Sequence, residues 1–211
     1  MSLYRVLIAD DHPIMREALR ALLEKAGHSV VGEAADGRQA CELAQKLQPN
    51  IAVLDLEMPS LNGIDAIPEI RRVSPNTRTI LLTMHTDRPY VLQALQAGAK
   101  GYVLKTQAAD DLIRAIQEVS MGAVYLSPGA AVGLVDAYLS KDEKPKELLS
   151  PRERQILQLV AEGKTTKAIG GMLGITFKTA ESHRNRIMKK LGIHHTAGLV
   201  RYAIRHGMLR P

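Results

Sequence analysis

Residues 51–63 read IAVLDLEMPSLNG: four apolar residues, an acid, then a stretch holding Met58-Pro59 and Asn62-Gly63. A short apolar run bounded by turn residues fits a strand buried on both faces, with Asp55 at its carboxyl end. YRVLIAD (4–10) repeats the pattern upstream, ending in Asp10 and followed by Asp11. Between and beyond these runs, helical spacing alternates with further strands. Ile14, Ala18, Leu19, Leu22 and Leu23 recur at helical intervals from Pro13 to Ala26, and Gly27 is a natural stop. HSVVGEAA (28–35), TRTILLTM (77–84) and GYVLK (101–105) read as strands. GRQACELAQKL (37–47), GIDAIPEIRRV (63–73), PYVLQALQAG (89–98) and ADDLIRAIQEVSMG (109–122) read as helices. Five strand–helix units with continuous apolar strands predict an α/β domain: a doubly wound, five-stranded parallel sheet with helices on both faces. Pro68 conflicts with the third helix and predicts a kink or a late start there.

The chain has 211 residues, enough for one large domain or two small ones. Its composition, 45% hydrophobic and 24% charged, excludes a disordered chain or a fibre. No apolar run approaches the ~18 residues that cross a bilayer, and the N-terminus lacks a secretory pattern. One cysteine, Cys41, makes neither an internal disulfide nor a thiolate metal site. These features predict a cytoplasmic protein with no membrane partner.

The net charge of +6 is unevenly spread. Residues 1–130 hold 13 basic against 15 acidic side chains, and residues 148–211 hold 12 against 3. A slightly acidic body with a tail of net +9 predicts a second domain facing a polyanion. Pro128, Gly129, Gly133 and the run KDEKPKE (141–147) mark a connector over 123–147, with room for a short helix in GAAVGLVDAYL (129–139). The expected domains are therefore 1–122 and 148–211.

The last third reads as four helices. Ser150, Pro151 and Glu153 form a capping-box pattern. Thr165, Thr176 and Thr196 stand at the other expected caps, and Gly163, Gly174 and Gly192 at the stops. Two helices joined by LGIT (173–176) form a helix-turn-helix signature. Gly170 and Gly171 inside the first of them cost roughly 1 kcal/mol each relative to Ala, which close packing would justify.

Placed on the sheet, the polar residues converge. Asp10, Asp11, Asp55, Thr83 and Lys105 all fall at carboxyl ends of strands, the edge where open parallel sheets bind ligands. Clustered carboxylates need a cation to stay ionised, and oxygen ligands suit Mg²⁺. A carboxylate, a hydroxyl and an ammonium around that cation make a pocket for a phosphoryl group, with Asp55 as the candidate nucleophile.

This set, with Met58-Pro59, Asn62-Gly63 and Gly101-Tyr102-Val103-Leu104-Lys105, resembles the receiver domain of two-component response regulators over residues 3–122. The resemblance implies a flavodoxin-like sheet of order 2-1-3-4-5 and phosphorylation of Asp55 by a histidine kinase. It also implies Mg²⁺ held by Asp11, Asp55 and the Glu57 carbonyl, with Asp10 acting through water. Thr83 and Lys105 would meet the phosphoryl oxygens, and Tyr102 would follow Thr83 as a switch. The family often has Pro after the lysine, where a cis bond is found; here Thr106 follows.

Residues 148–206 resemble the LuxR-type helix-turn-helix of the NarL/FixJ family, again in that family's domain order. In the helix after Thr176, Ala180, Ile187 and Leu191, with His183 or Arg184, form a packed stripe. Lys178, Glu181, Ser182, Asn185, Arg186 and Lys189 occupy the opposite face, which suits a major groove. Asn185 suits adenine, Glu181 a cytosine amino group, and the three basic residues phosphate or guanine. Glu181, Ser182 and Asn185 match the family's base readers; Glu181 could instead pair with Lys178. Thr179 belongs to the same face. Lys164, Thr165, Thr166 and Lys167 form a phosphate-contact group. His194 and His195 read as a turn and cap rather than a metal pair, and Phe177 as a residue packed against its domain.

The combined expectation is a transcription regulator controlled by phosphorylation, which dimerises and frees its recognition helix. Leu199, Tyr202, Ala203 and Ile204 offer a second dimer contact. A Mg²⁺-dependent phosphohydrolase and a regulator using an unphosphorylated receiver as a scaffold are the competing readings.

Overall fold

The computed structural model describes residues 4–86, 88–132 and 149–209. The chain forms two compact units, one carrying the sheet and one carrying the C-terminal helices. In the first, the order is β1 (Arg5–Ala9), α1 (Pro13–Lys25), β2 (Ser29–Ala34), α2 (Gly37–Leu47), β3 (Ile51–Asp55), α3 (Gly63–Val73), β4 (Arg78–Thr83), α4 (Arg88–Ala97), β5 (Gly101–Leu104), α5 (Ala108–Ser120) and β6 (Tyr125–Leu126). All pairings are parallel, in the order β2-β1-β3-β4-β5-β6.

Alternation along the strands divides the core in two. Val6, Ile8, Val53, Ile80, Leu82 and Val103 pack with Leu19 and Leu23 of α1 and Leu112 and Ile116 of α5. Leu7, Leu54, Leu81 and Tyr102, also buried, point the other way, toward the face covered by α2 and α3, with α4 beside α3. Both faces are dry, so the strands read as unbroken apolar runs.

Two expectations change here. The sheet has a sixth strand inside the stretch expected as connector: the Tyr125 amide donates to the Lys100 carbonyl and the Ser127 amide to the Tyr102 carbonyl, both at 2.9 Å. Two residues are too short to show a period. Residues 128–132 are helical; the rest of the helix expected over 129–139 lies outside the described residues. The third helix starts at Gly63, not late, and runs through Pro68 to Val73. Asn62 caps it, and Ile64, Ala66, Ile67 and Ile70 are buried, so packing outweighs one missing backbone hydrogen bond.

His28, at the start of β2, is 6% exposed. Its ring lies against Tyr4, and neither nitrogen has a hydrogen-bond partner among the described residues. Burial holds its pKa below the ordinary 6.5. The folded state therefore keeps the neutral ring while the unfolded chain takes up a proton first. Stability is complete above pH 6.5 and falls as the pH drops below it. Urea midpoints measured against pH should show this loss in the parent and a flatter acid limb in His28→Leu.

The second unit contains α6 (Pro151–Ala161), α7 (Thr166–Leu173), α8 (Phe177–Leu191) and α9 (Thr196–Arg205). They close around Ile156, Leu157, Leu159, Val160, Ile169, Ala180, Ile187, Leu199 and Ala203. The capping box forms as expected: the Glu153 amide donates to Ser150 Oγ and the Ser150 amide to Glu153 Oε2. Thr165 and Thr176 cap α7 and α8. Thr196 does not cap α9. His195 does, its Nδ1 accepting from the Gly198 amide at 2.9 Å, because Gly198 has no Cβ to collide with the imidazole. The Thr196 hydroxyl instead accepts from Arg184 at 2.7 Å.

The paired glycines of α7 differ in purpose. A Cβ on Gly170 would lie 2.9 Å from the Ile175 carbonyl oxygen, so the turn into α8 needs glycine there; a Cβ on Gly171 would meet nothing within 4 Å. Gly171→Ala is expected to stabilise this unit by about 1 kcal/mol through helix propensity alone, and Gly170→Ala to destabilise it. Thermal melts of the two variants separate the cases.

Candidate functional site

The carboxyl edge of the sheet brings four strand ends together. Asp10 follows β1, Asp55 closes β3, Thr83 closes β4 and Lys105 follows β5. Asp10, Asp55 and Thr83 are buried. Lys105 Nζ bridges the two acids, 2.7 Å from Asp10 Oδ2 and 2.9 Å from Asp55 Oδ2. Asp11, 29% exposed in its side chain, opens the cluster to solvent. Carboxylate oxygens of Asp10, Asp11 and Asp55 and a ring nitrogen of His12 lie within 4.8 Å of one another.

Residues not selected from the sequence frame this cluster. His12 donates its amide to Asp10 Oδ1 at 2.8 Å and places Nδ1 2.7 Å from Asp11 Oδ1. Arg16, one turn into α1, donates to the Asp10 main-chain carbonyl at 2.7 Å. The carboxylate of Glu57 lies 3.1 Å from His85 Nε2. The position of His12 beside Asp10-Asp11 is a sequence signal; the reach of Arg16 and His85 depends on tertiary folding.

The end of β3 and the start of α3 are held together by backbone contact. The Gly63 amide donates to the Leu56 carbonyl at 2.9 Å, and a Cβ on Gly63 would fall 2.1 Å from the Asp55 carbonyl oxygen. Only glycine lets α3 approach the acid so closely. From Thr83 a chain of hydrogen bonds leads away. The His85 amide donates to Thr83 Oγ1 at 3.2 Å, and the His85 carbonyl accepts from the Tyr102 hydroxyl at 2.9 Å. Tyr102 itself is fully buried. Cys41 is chemically quiet, since burial pushes its thiol up to about 12.

On the helical unit, Lys178, Thr179, Glu181, Asn185, Arg186 and Lys189 of α8 are exposed and Ser182 is half-buried, opposite buried Ala180 and Ile187. Thr179 serves the cap, its hydroxyl 2.9 Å from that of Thr176. Among the described residues no ion pair joins Glu181 to Lys178. Lys164, Thr165 and Lys167 are exposed and Thr166 half-buried, at the start of α7. Phe177 corrects the expectation: it is 53% exposed rather than packed, because the α8 stripe is already filled. Leu199 and Ala203 are buried in their own core and so offer no dimer surface; Tyr202 and Ile204 are half-buried.

Residues 6–117 match the response regulator receiver domain, and residues 147–203 match the bacterial regulatory proteins of the luxR family. This chain is a LuxR-type response regulator. The regulator is 40% identical over 206 residues to the transcriptional regulatory protein MctR of Rhizobium johnstonii, covering 97% of this chain and 95% of that protein. It is 35% identical to the response regulator UvrY of Escherichia coli K12, covering 96% and 94%. Among solved structures it is similar to RcsB from Salmonella enterica serovar Typhimurium bound to promoter P1flhDC with the phosphomimetic BeF3-. That match has a TM-score of 0.67 and 31% identity, over 95% of this chain and 98% of that one. Receiver first and DNA-binding helices last is thus the architecture of a DNA-binding transcription regulator. Among the described residues no helix is long and apolar enough to cross a membrane.

Proposed function

We propose that the regulator is switched by phosphorylation of Asp55 from a histidine kinase in the bacterial cytoplasm. In this reading residues 1–122 are expanded by β6 to form the receiver, and residues 148–211 are the DNA-binding domain. The observation that carries the proposal is the ammonium of Lys105 held between buried Asp10 and Asp55, with Thr83 buried at the end of the strand next to that of Asp55. The donor set fits Mg²⁺: carboxylates close enough to share one ion, one of them solvent-facing. Asp11, Asp55 and the Glu57 carbonyl would hold the ion, and Asp10 would act through water. Bound there, Mg²⁺ supplies charge neutralisation for the carboxylates and the phosphoryl oxygens.

The protein's own groups do the rest. An Asp55 carboxylate oxygen bonds to phosphorus as the bond to the donor's imidazole nitrogen breaks, the electron pair remaining on that nitrogen. Lys105 releases Asp55 and pairs with a phosphoryl oxygen, while Thr83 donates to another. The Thr83 hydroxyl accepts from the His85 amide, so turning it toward the phosphoryl group pulls on the His85 backbone, whose carbonyl anchors the Tyr102 hydroxyl. Phosphorylation thereby reaches Tyr102 through two hydrogen bonds, a local event biasing two states. The outcome is a homodimer on DNA, with Asn185, Glu181 and Ser182 reading bases and Lys178, Thr179, Arg186, Lys189, Lys164, Thr165, Thr166 and Lys167 meeting the backbone.

Acetyl phosphate with Mg²⁺ should label the parent protein and not Asp55→Asn. Equal labelling of the two removes Asp55 as the acceptor.

A further inference from the structure

Arg16 is not a member of the acid cluster, yet it is fixed against the main chain of one member, Asp10. Its Nη1 donates to the Asp10 main-chain carbonyl at 2.7 Å, and its Nε pairs with Glu33 Oε2 at 3.3 Å. The other Glu33 oxygen is taken by Arg20 Nε at 2.6 Å, and Arg20 also pairs with Glu24. Arg16 is only 17% exposed in its side chain. The carbonyl it holds lies one residue beyond the end of β1, where the chain leaves the sheet for α1. The Asp10 amide is secured on β2 by the Ala34 carbonyl at 3.1 Å. The Asp10 carbonyl begins the peptide that carries Asp11.

We propose that Arg16 is a positioning residue for the cation site: its guanidinium, oriented by Glu33, sets the Asp10–Asp11 peptide and so aims the Asp11 carboxylate at the ion. This rests on reading the acid cluster as a Mg²⁺ site. The planar guanidinium suits the task because it spans two partners at fixed angles, which a lysine ammonium does not. Partners behind metal ligands govern ligand orientation, and losing one commonly lowers metal affinity 10–100-fold.

Charge and position make opposite predictions. Removing a positive charge near three carboxylates should tighten Mg²⁺ binding if Arg16 acts only through its field. Loss of positioning should weaken it. Isothermal titration of the full chain with MgCl₂ reads the difference directly, with thermal melts alongside. Arg16→Met is expected to raise the Mg²⁺ dissociation constant about tenfold or more, and Glu33→Gln to raise it less. Arg20→Met, which removes a similar charge on the same helix, should leave it within about twofold. Arg16→Lys should fall between Met and the parent, since it keeps the charge and at most one of the two contacts.

The labelling rate with acetyl phosphate should then recover toward the parent's at saturating Mg²⁺, an affinity effect rather than damage to transfer. The proposal is overturned if Arg16→Met binds Mg²⁺ as tightly as the parent or tighter, or if Arg16→Lys matches the parent. A lowered melting temperature with unchanged Mg²⁺ affinity also overturns it, leaving a purely structural role. If the parent shows no Mg²⁺ binding that Asp11→Asn abolishes, the underlying cation-site reading fails instead, and this inference with it.

Discussion

Gly63→Ala is expected to slow labelling of Asp55 by acetyl phosphate about 100-fold, a larger effect than most substitutions among the acids' neighbours. The cause is steric and lies in the main chain. The added methyl would sit 2.1 Å from the Asp55 carbonyl oxygen and 3.0 Å from both the Asp55 carbonyl carbon and Leu81 Cδ1. No side-chain rotation relieves a clash with backbone. Either the end of β3 moves outward by about 1 Å, or the first turn of α3 lifts and breaks the Gly63–Leu56 hydrogen bond. Moving β3 displaces Asp55 from Lys105 and Thr83. An error of that size is worth about two orders of magnitude in a reaction that depends on alignment. Overpacking here is also expected to cost about 3 kcal/mol of stability. Rates of labelling and urea midpoints, measured on the same variant, check both. A variant that labels at the parental rate would show that the α3 start yields without moving Asp55.

Lys105→Met carries the second large effect, and here the cause is charge. Asp10 and Asp55 are 1% and 3% exposed in their side chains, and the Lys105 ammonium lies within 2.9 Å of each. Methionine retains most of the stem and removes the cation, leaving two buried carboxylates facing one another. Breaking one partner out of a buried ionic set costs roughly 3–5 kcal/mol. The lower end, about 3 kcal/mol, is expected, because water enters beside partly exposed Asp11. A divalent cation can replace the missing charge, so millimolar MgCl₂ should restore more stability to the variant than it adds to the parent. Denaturation midpoints with and without MgCl₂ give this comparison. Labelling should stay low even with Mg²⁺ present, since the ion replaces the ammonium's charge but not its contact with the transferred group.

How far the sequence spoke depended on the length of each signal. The apolar runs ending at Asp10 and Asp55 are long enough to mark strand and acid together, and Thr83 and Lys105 followed from the same strand-end logic. β6 was missed because Tyr125 and Leu126 make too short a run to show a period. Helix caps by hydroxyl groups were legible at Ser150, Thr165 and Thr176. At the last helix two readings stood side by side, Thr196 as the cap and His194-His195 as a turn and cap; the outcome in favour of His195 depends on the absent Cβ of Gly198, three residues after it. The same limit applies to Arg16 and His85: each acts on a main-chain or side-chain atom that only the folded chain brings near. Phe177 was misplaced for a simpler reason. Its apolar character suggested the core, while Ala180 and Ile187 already fill that side of α8.

The shortest strand has a practical consequence for anyone dissecting the regulator. A receiver fragment cut after residue 122, as a boundary drawn from composition invites, would remove the whole of β6. The Lys100 and Tyr102 carbonyls would lose their partners, and β5 would become a bare outer strand. Bare strands recruit neighbours. Such a fragment should self-associate in a concentration-dependent way that owes nothing to phosphorylation, and gel filtration would record it as dimers. Extending the fragment past Ser127 is expected to return a monomer, so any study of dimerisation in the isolated receiver depends on five residues outside its apparent border.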